Sequence, residues 1–139
     1  MAITQGMCTS FKAEILGGTH DLATDVLKIA LFTNSATLSV ATTAYSTSGE
    51  VVGTGYTAGG MILADAVISS SGTTAIVDFT DPVWSTTTLT ARGALIYNST
   101  KANRAIAVLD FGTDKTTSGG DFDIVLPAPT ASTAIVRIA

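Results

Sequence analysis

The sequence is poor in the side chains on which most enzymes and metal sites depend. Among 139 residues there are one cysteine, Cys8, and one histidine, His20. A catalytic triad would have to rely on that single imidazole, and a zinc site needs about three or four suitably spaced ligands. We therefore expect no enzyme, no cofactor and no metal, and we interpret His20 as a turn residue that bonds backbone groups beside Asp21. A single cysteine forms no internal disulfide, so nothing indicates maturation in an oxidising compartment.

Charge and long apolar runs are also scarce. Charged residues are 13% of the chain, the net charge is −4 and the seven basic residues are scattered. Direct nucleic-acid binding is not expected, because neutralising phosphates requires clustered lysine and arginine. No apolar run approaches the roughly 20 residues that span a bilayer, and residues 1–16 lack the basic-then-apolar order of a signal peptide. We expect no membrane contact and folding in the cytoplasm of the producing cell.

Hydroxyl side chains take the place of the missing charges. The chain contains 24 threonines and 12 serines, about a quarter of its residues. Threonine favours strands because its branched Cβ is stiff at χ1. A surface rich in threonine and poor in charge suits a protein whose outer faces pack against other subunits.

Residues 91–111 show the organisation of the fold most clearly. Two apolar runs, 93–97 and 105–111, flank a polar connection at 98–103, which is typical of an antiparallel hairpin. Further strands are predicted at 26–33, 61–69, 74–80, 83–85, 87–91, 121–126 and 133–138. Their turn signals recur about every 8 to 15 residues, the spacing of a sandwich or barrel. The prediction is one all-β domain over residues 1–139, a β-sandwich (jelly-roll or immunoglobulin-like) of about seven to eight strands.

Two segments fall outside this pattern. In residues 1–25, Ser10 as N-cap, the run FKAEIL and the glycines Gly17 and Gly18 predict a short helix, and an extended arm laid on a neighbour is the alternative. Residues 34–60 are a long, small-residue-rich loop, into which a helix at 42–45 or a strand at 50–52 could fit. The glycines of this loop do not have the spacing of a dinucleotide-binding fingerprint.

Four aspartates near the run LDFGTDKTTSGGDFD raise the question of a bound ion. Calcium takes carboxylate oxygens, but the spacing lacks the register of a known calcium loop, and aspartate and glycine are ordinary turn formers. Ion binding is therefore left open for Asp110, Asp114, Asp121 and Asp123. Trp84 and Tyr56 could stack on a sugar, although single aromatic residues more often anchor a core or an interface.

The chain resembles a family of small virion proteins of tailed bacteriophages. The resemblance rests on an ordered set of segments: FKAEILGGTHDL, LKIALFTNSATLS, TTAYSTSGEVVGTGYTAGG, VDFTDPVWSTTTLTARGALIYNS, NRAIAVLDFGTDK and GGDFDIVLP. It implies a capsid cement or decoration protein that binds the major capsid protein and stabilises the head. Its location would be the capsid surface of the virion, after folding in the host cytoplasm. The alternatives are a tail or tail-fibre component that binds host glycan or protein, and a small hydrolase that uses His20 or the aspartates.

A cement protein would touch its neighbours through exposed apolar segments. We expect a homo-oligomer, with a trimer on a local threefold axis as the specific prediction. The predicted contact residues lie in the N-terminal piece and the long loop: Met7, Phe11, Ile15, Tyr45, Val51, Val52 and Tyr56. The alternative interpretation is that these side chains cap the β core.

Overall fold

The computed structural model of the chain describes residues 2–138, which form two antiparallel sheets and one short helix. This confirms the predicted all-β sandwich. The eight strands of the described chain are β1 (Gly6–Met7), β2 (Leu27–Phe32), β3 (Met61–Ile62), β4 (Val67–Ser71), β5 (Thr74–Asp78), β6 (Val83–Asn98), β7 (Arg104–Asp123) and β8 (Val136–Ile138). The helix is α1 (Thr9–Leu16), and a 3-10 turn (Ser99–Lys101) joins β6 to β7. The sheet orders are β1-β7-β6-β2-β3 and β4-β5-β8.

The predicted hairpin is the centre of the larger sheet, and it is longer than expected. β6 has 16 residues and β7 has 20. The strands predicted at 83–85 and 87–91 therefore belong to β6, which continues into the first strand of the predicted hairpin. The predicted loop around LDFGTDKTTSGGDFD is part of β7. Gly112 and Gly119 have φ of +80° and +73° there, and the register with β6 shifts. Glycine and aspartate therefore form bulges within one bent strand rather than ending it.

The core lies around β2 and the first half of the hairpin. β2 is buried along almost its whole length and pairs with β6 from Leu27↔Asn98 to Phe32↔Gly93. The apolar run at 29–32 is buried throughout, as suits a strand that is covered on both faces. Phe11 of α1 is 1% exposed and belongs to the same core.

The N-terminal helix forms as predicted, with a different start. Cys8 rather than Ser10 stands at the N-cap, without a side-chain cap bond, and Gly17 is the C-cap. The Ser10 hydroxyl is buried and has no hydrogen-bond partner within residues 2–138. β1, just before the helix, pairs with Ala107 and Val108 of β7. The segment is thus packed on its own chain and is not an extended arm in this structure.

Several predicted boundaries were wrong. The run 61–69 is divided between β3 and β4, because Asp65 has φ of +59° where the chain passes from one sheet to the other. The strand predicted at 121–126 ends at Asp123, and the one predicted at 133–138 begins at Val136. Neither a helix at 42–45 nor a strand at 50–52 forms; Glu50 makes one isolated bridge with Phe32.

Candidate interaction surface

In the long loop, residues 34–60, one carboxylate accepts several hydrogen bonds. Glu50 Oε1 accepts a hydrogen bond from the Tyr45 hydroxyl at 2.6 Å, and Oε2 accepts from the Tyr56 hydroxyl at 2.6 Å and from Gly59 N–H at 2.7 Å. The Tyr56 hydroxyl also accepts from Leu31 N–H of β2 at 2.9 Å. Bonds to a charged acceptor are short and strong, so this set fixes the loop against the sheet.

The environment of Glu50 keeps these tyrosines protonated. Burial and the hydrogen bond to the Glu50 carboxylate raise the pKa of both Tyr45 and Tyr56 well above the usual range. The ring of Tyr97 stacks on Tyr45 with centroids 4.6 Å apart, and its hydroxyl donates to the Gly59 carbonyl at 2.6 Å. The tyrosine hydroxyls therefore act as fixed donors within the fold.

Of the contact residues predicted in this loop, Val52 is the one that faces outward. Its exposed fraction is 95%, whereas Val51 beside it is 3% exposed and lies in the core. Tyr45 and Tyr56 are partly buried and donate their hydroxyls to Glu50. The interpretation that the predicted residues cap the core thus fits the location of Val51, while Val52 is available to a partner.

The predicted N-terminal residues Met7, Phe11 and Ile15 line an open groove of about 390 Å³ between α1 and β8. Phe11 is 1% exposed and packs in the core, so of these three residues only Met7 and Ile15 reach the surface. Leu16, 88% exposed, and Ile138, 49% exposed, complete its apolar lining. Leu16 follows Ile15 directly but was not among the predicted contact residues. The sequence around Ile138 does not indicate a contact site, because most of the residues that share the groove with it lie near the other end of the chain.

His20 occupies a buried network, which corrects its interpretation as a turn residue that bonds backbone. The ring Nε2 lies 2.9 Å from Glu14 Oε1, and Nδ1 lies 2.9 Å from the Asn98 side-chain nitrogen. Since that amide donates to Nδ1, the ring proton is on Nε2 and is donated to Glu14. The Phe11 ring lies 5.1 Å from the imidazole. Neither ring nitrogen is bonded to a hydroxyl or thiol that could act as a nucleophile.

Asn98 is the centre of this network and is fully buried. Its amide also donates to Asp25 Oδ2 at 2.8 Å, while its carbonyl oxygen accepts from the backbone N–H groups of Thr100 and Lys101. The Lys101 ammonium group lies 3.0 Å from Asp25 Oδ2. The carbonyl oxygen of the Asn98 side chain thus caps the turn between β6 and β7, and its two N–H groups join that turn to His20 and Asp25.

The carboxylates of the network are stabilised in their charged form. Burial opposes ionisation of Asp25, but hydrogen bonds from Asn98, from Asp21 N–H and from Lys101 lower its pKa to about 2. Burial likewise opposes ionisation of Glu14, and the bonds from His20 and Arg104 lower its pKa. The arrangement is that of a structural network.

Cys8 has no features of a reactive cysteine. Burial, with a smaller contribution from the Glu14 carboxylate, raises the pKa of its thiol to about 11. The thiol points at the Ser39 carbonyl, 3.9 Å away. Because the thiolate is the nucleophile, this environment disfavours the reactive form of Cys8 at neutral pH.

Protein groups lie against three of the four aspartates considered for an ion, and two of these share Arg92. Arg92 lies 3.9 Å from Asp110 and 3.6 Å from Asp114, and Asp121 accepts from Thr86 N–H at 3.0 Å. Asp123 is exposed at the end of β7. Within residues 2–138 no group of three or more potential ligands could hold a metal ion.

The two aromatics considered for sugar stacking are not free to stack on a ligand. Trp84 is 6% exposed, and its ring lies 6.1 Å from Tyr56 and 6.2 Å from Phe122. Trp84 and Phe122 belong to the core, and Tyr56 of the loop packs against it.

Over residues 2–138, no helix has the length and apolar character required to cross a membrane. No family model, curated protein or solved structure matches the chain.

Proposed function

We propose that this protein is a virion structural protein of a tailed bacteriophage, a capsid cement or decoration protein that binds the major capsid protein. The observation that supports it best is the position of the two most exposed large apolar side chains. Val52 and Leu16, 95% and 88% exposed, stand on the two segments that the sequence predicted to contact neighbours. Isolated apolar side chains are common on surfaces, so their place on these two segments is what matters.

The buried polar groups support a binding role. The Glu50 carboxylate bonds to Tyr45 and Tyr56 and holds the loop. Separately, the His20 imidazole and the Asn98 amide bond to each other, to Glu14 of the helix and to Asp25. A network with its donors and acceptors used rigidifies the fold around it. The result is a scaffold that presents Val52 and Leu16 in fixed positions.

The mechanism is the covering of junctions between capsid subunits by many copies. Burying one valine or leucine side chain contributes about 1.5–3 kcal/mol. One such contact is weak, but a copy at each junction of a lattice multiplies it, and simultaneous engagement raises the effective affinity. The threefold arrangement of copies and the location on the capsid surface remain predictions of this proposal.

The test is binding to purified particles that lack the protein. Val52→Asp and Leu16→Asp should each reduce binding at least tenfold, because a charge would have to be desolvated in an apolar contact. Val125→Asp is the matched control, since Val125 is 81% exposed but lies outside both segments. Unchanged binding by both variants, or absence of the protein from particles, would overturn the proposal.

The tail alternative is favoured by one feature, a second open groove of about 380 Å³ beside β7. Its lining combines carboxylate, hydroxyl and aromatic side chains, among them Asp121, Thr117 and Phe111. Such a mixture suits a glycan or a polar peptide. Copy number separates the two functions, because a capsid protein is present in hundreds of copies per particle and a tail component in a handful.

A further inference from the structure

One edge of the larger sheet and one edge of the smaller sheet differ strongly in character. In the larger sheet, β1 covers β7 only at Ala107 and Val108. Beyond that point the edge of β7 is protected: the Gln5 side chain accepts from Asp110 N–H at 3.1 Å, and Asp110 accepts from Gly112 N–H at 2.9 Å. Bulges and charged side chains are the usual protection of an edge strand against pairing with another chain.

β4, at the edge of the smaller sheet, has none of these features. Its sequence VISSS contains no charge, proline or glycine, and it pairs with β5 over all five residues without a register shift. Val67 is 58% exposed and Ile68 54% exposed. Within residues 2–138 no strand pairs with its outer side. An uncharged, regular and exposed edge of this kind is a template for strand addition.

The turn that precedes β5 determines which backbone groups of β4 face outward. Ser71 pairs with Thr74 across the two residues Gly72 and Thr73. The pair that closes a two-residue hairpin is hydrogen-bonded, and bonded and non-bonded pairs alternate along the ladder. The N–H and C=O groups of Ile68 and Ser70 therefore point away from β5.

We propose that a second copy of this chain pairs with β4, antiparallel, with the Ser69 residues of the two copies opposite each other on a twofold axis. Ile68 of each copy then lies opposite Ser70 of the other. Two bonded pairs supply four backbone hydrogen bonds, which use each of the outward-facing groups of both strands. The two small sheets become one sheet of six strands.

The occupant is a second copy because β4 is complementary to itself. The rest of the chain carries a net charge of −4, which opposes association, whereas the five residues of β4 place no charge opposite a like charge. In this register Val67 of one copy lies opposite Ser71 of the other, so each apolar side chain of β4 faces a serine across the dimer contact.

The contact is small. Five residues on each side bury less than the roughly 800 Å² per partner of a standard interface. Free molecules should therefore associate weakly through β4, and copies that are held close together should associate more tightly. The inference is independent of the proposed function, because it concerns association of the purified chain.

The test uses cysteines placed in β4. In the proposed register the Cα atoms of the two Ser69 residues lie about 4.5 Å apart, at the lower end of the range that a disulfide bond bridges. The two Ser71 residues lie about 14 Å apart, beyond that range. Under mild oxidation, Ser69→Cys should therefore form a disulfide-linked dimer, and the matched variant Ser71→Cys should not. Cys8 is buried in both variants.

A second measurement is the mass in solution by sedimentation over a range of concentrations. The chain of 14.1 kDa should approach twice that mass at high concentration. Ser70→Pro removes an outward N–H that the β5 ladder does not use, so it should remain a folded monomer. Failure of Ser69→Cys to cross-link, equal cross-linking of Ser71→Cys, or a monomer at each concentration would overturn the proposal.

Discussion

The Tyr56 hydroxyl group donates a hydrogen bond to Glu50 Oε2 at 2.6 Å and accepts one from Leu31 N–H of β2. It thereby connects the long loop to β2. Together with backbone hydrogen bonds from Val51 N–H to the Leu31 carbonyl and from Tyr45 N–H to the Asn103 carbonyl, this relationship anchors residues 34–60. It also explains why a loop of this length has a defined path across the sheet.

Glu50→Gln should lower the free energy of unfolding by about 2 kcal/mol, because hydrogen bonds to a charged acceptor are worth about 1.5–3 kcal/mol and the amide presents one acceptor oxygen in place of two. Tyr45→Phe, which removes one of the bonds, should have a smaller effect. Chemical denaturation measures both. Asp65→Asn is the control, since Asp65 accepts its bond from exposed Thr80. Equal stability of all three variants and the parent would contradict the role of Glu50.

Asn98→Asp should destabilise the protein by about 3 kcal/mol or more. The new carboxylate would face Asp25 and the lone pair of His20 Nδ1, where Asn98 now donates to both. Thermal unfolding measures the change. Asn103→Asp is the matched control in the same turn, because Asn103 is exposed and its φ of +59° is tolerated by aspartate. A similar melting temperature for the two variants would show that the buried network contributes little.

Acid should weaken the fold between about pH 4 and pH 2. The pKa of Asp25 is lowered from 3.8 to about 2 in the folded state, so its contribution is complete above the unfolded value and is lost as pH falls through the folded one. Denaturation at pH 5, 3 and 2 measures this loss. Asp25→Asn should start from a lower stability and change less over the same interval. A parallel decline of variant and parent would exclude Asp25 as a source of acid sensitivity.

Gly60→Ala should be far more destabilising than Gly72→Ala. Both glycines have positive φ, +78° and +61°, but a Cβ on Gly60 would collide with the Ile29 carbonyl oxygen, whereas one on Gly72 meets open space. We expect about 1 kcal/mol for Gly72→Ala, from backbone strain alone, and more than about 3 kcal/mol for Gly60→Ala. Urea denaturation of the two variants gives the comparison, and equal midpoints would contradict the close approach of the loop to β2.

The sequence predicted elements whose signals are local. The hairpin around residues 98–103 was predicted correctly because apolar runs flank a polar turn, and α1 because helix formers precede two glycines. The same logic failed at Gly112 and Gly119, since glycine and aspartate favour a bulge as well as a turn. A bulge differs from a loop in that a partner strand, here β6, lies beside it. The sequence of the segment itself does not show that partner.

The polar networks could not be predicted from the sequence, because their partners are distant in the chain. His20 and Asn98 are separated by 78 positions, and neither has a neighbour that identifies the other. In the sequence, Glu50 is one acidic residue in a glycine-rich loop. Only the structure shows that Tyr45 and Tyr56 bond to its two oxygens. Val52 could be selected as apolar, but only the structure shows that it points outward while Val51 points inward.

The sheet order also determines the timing of folding. β6 and β7 adjoin in the chain and can pair as soon as both are made, but Phe32 of β2 must wait for Gly93, sixty-one positions later. Long-range pairing is slow because a large loop has to close first. The N-terminal quarter of the chain therefore leaves the ribosome before β6, with which β2 pairs, has been made. We expect the newly made chain to remain sensitive to proteases until synthesis has passed β6.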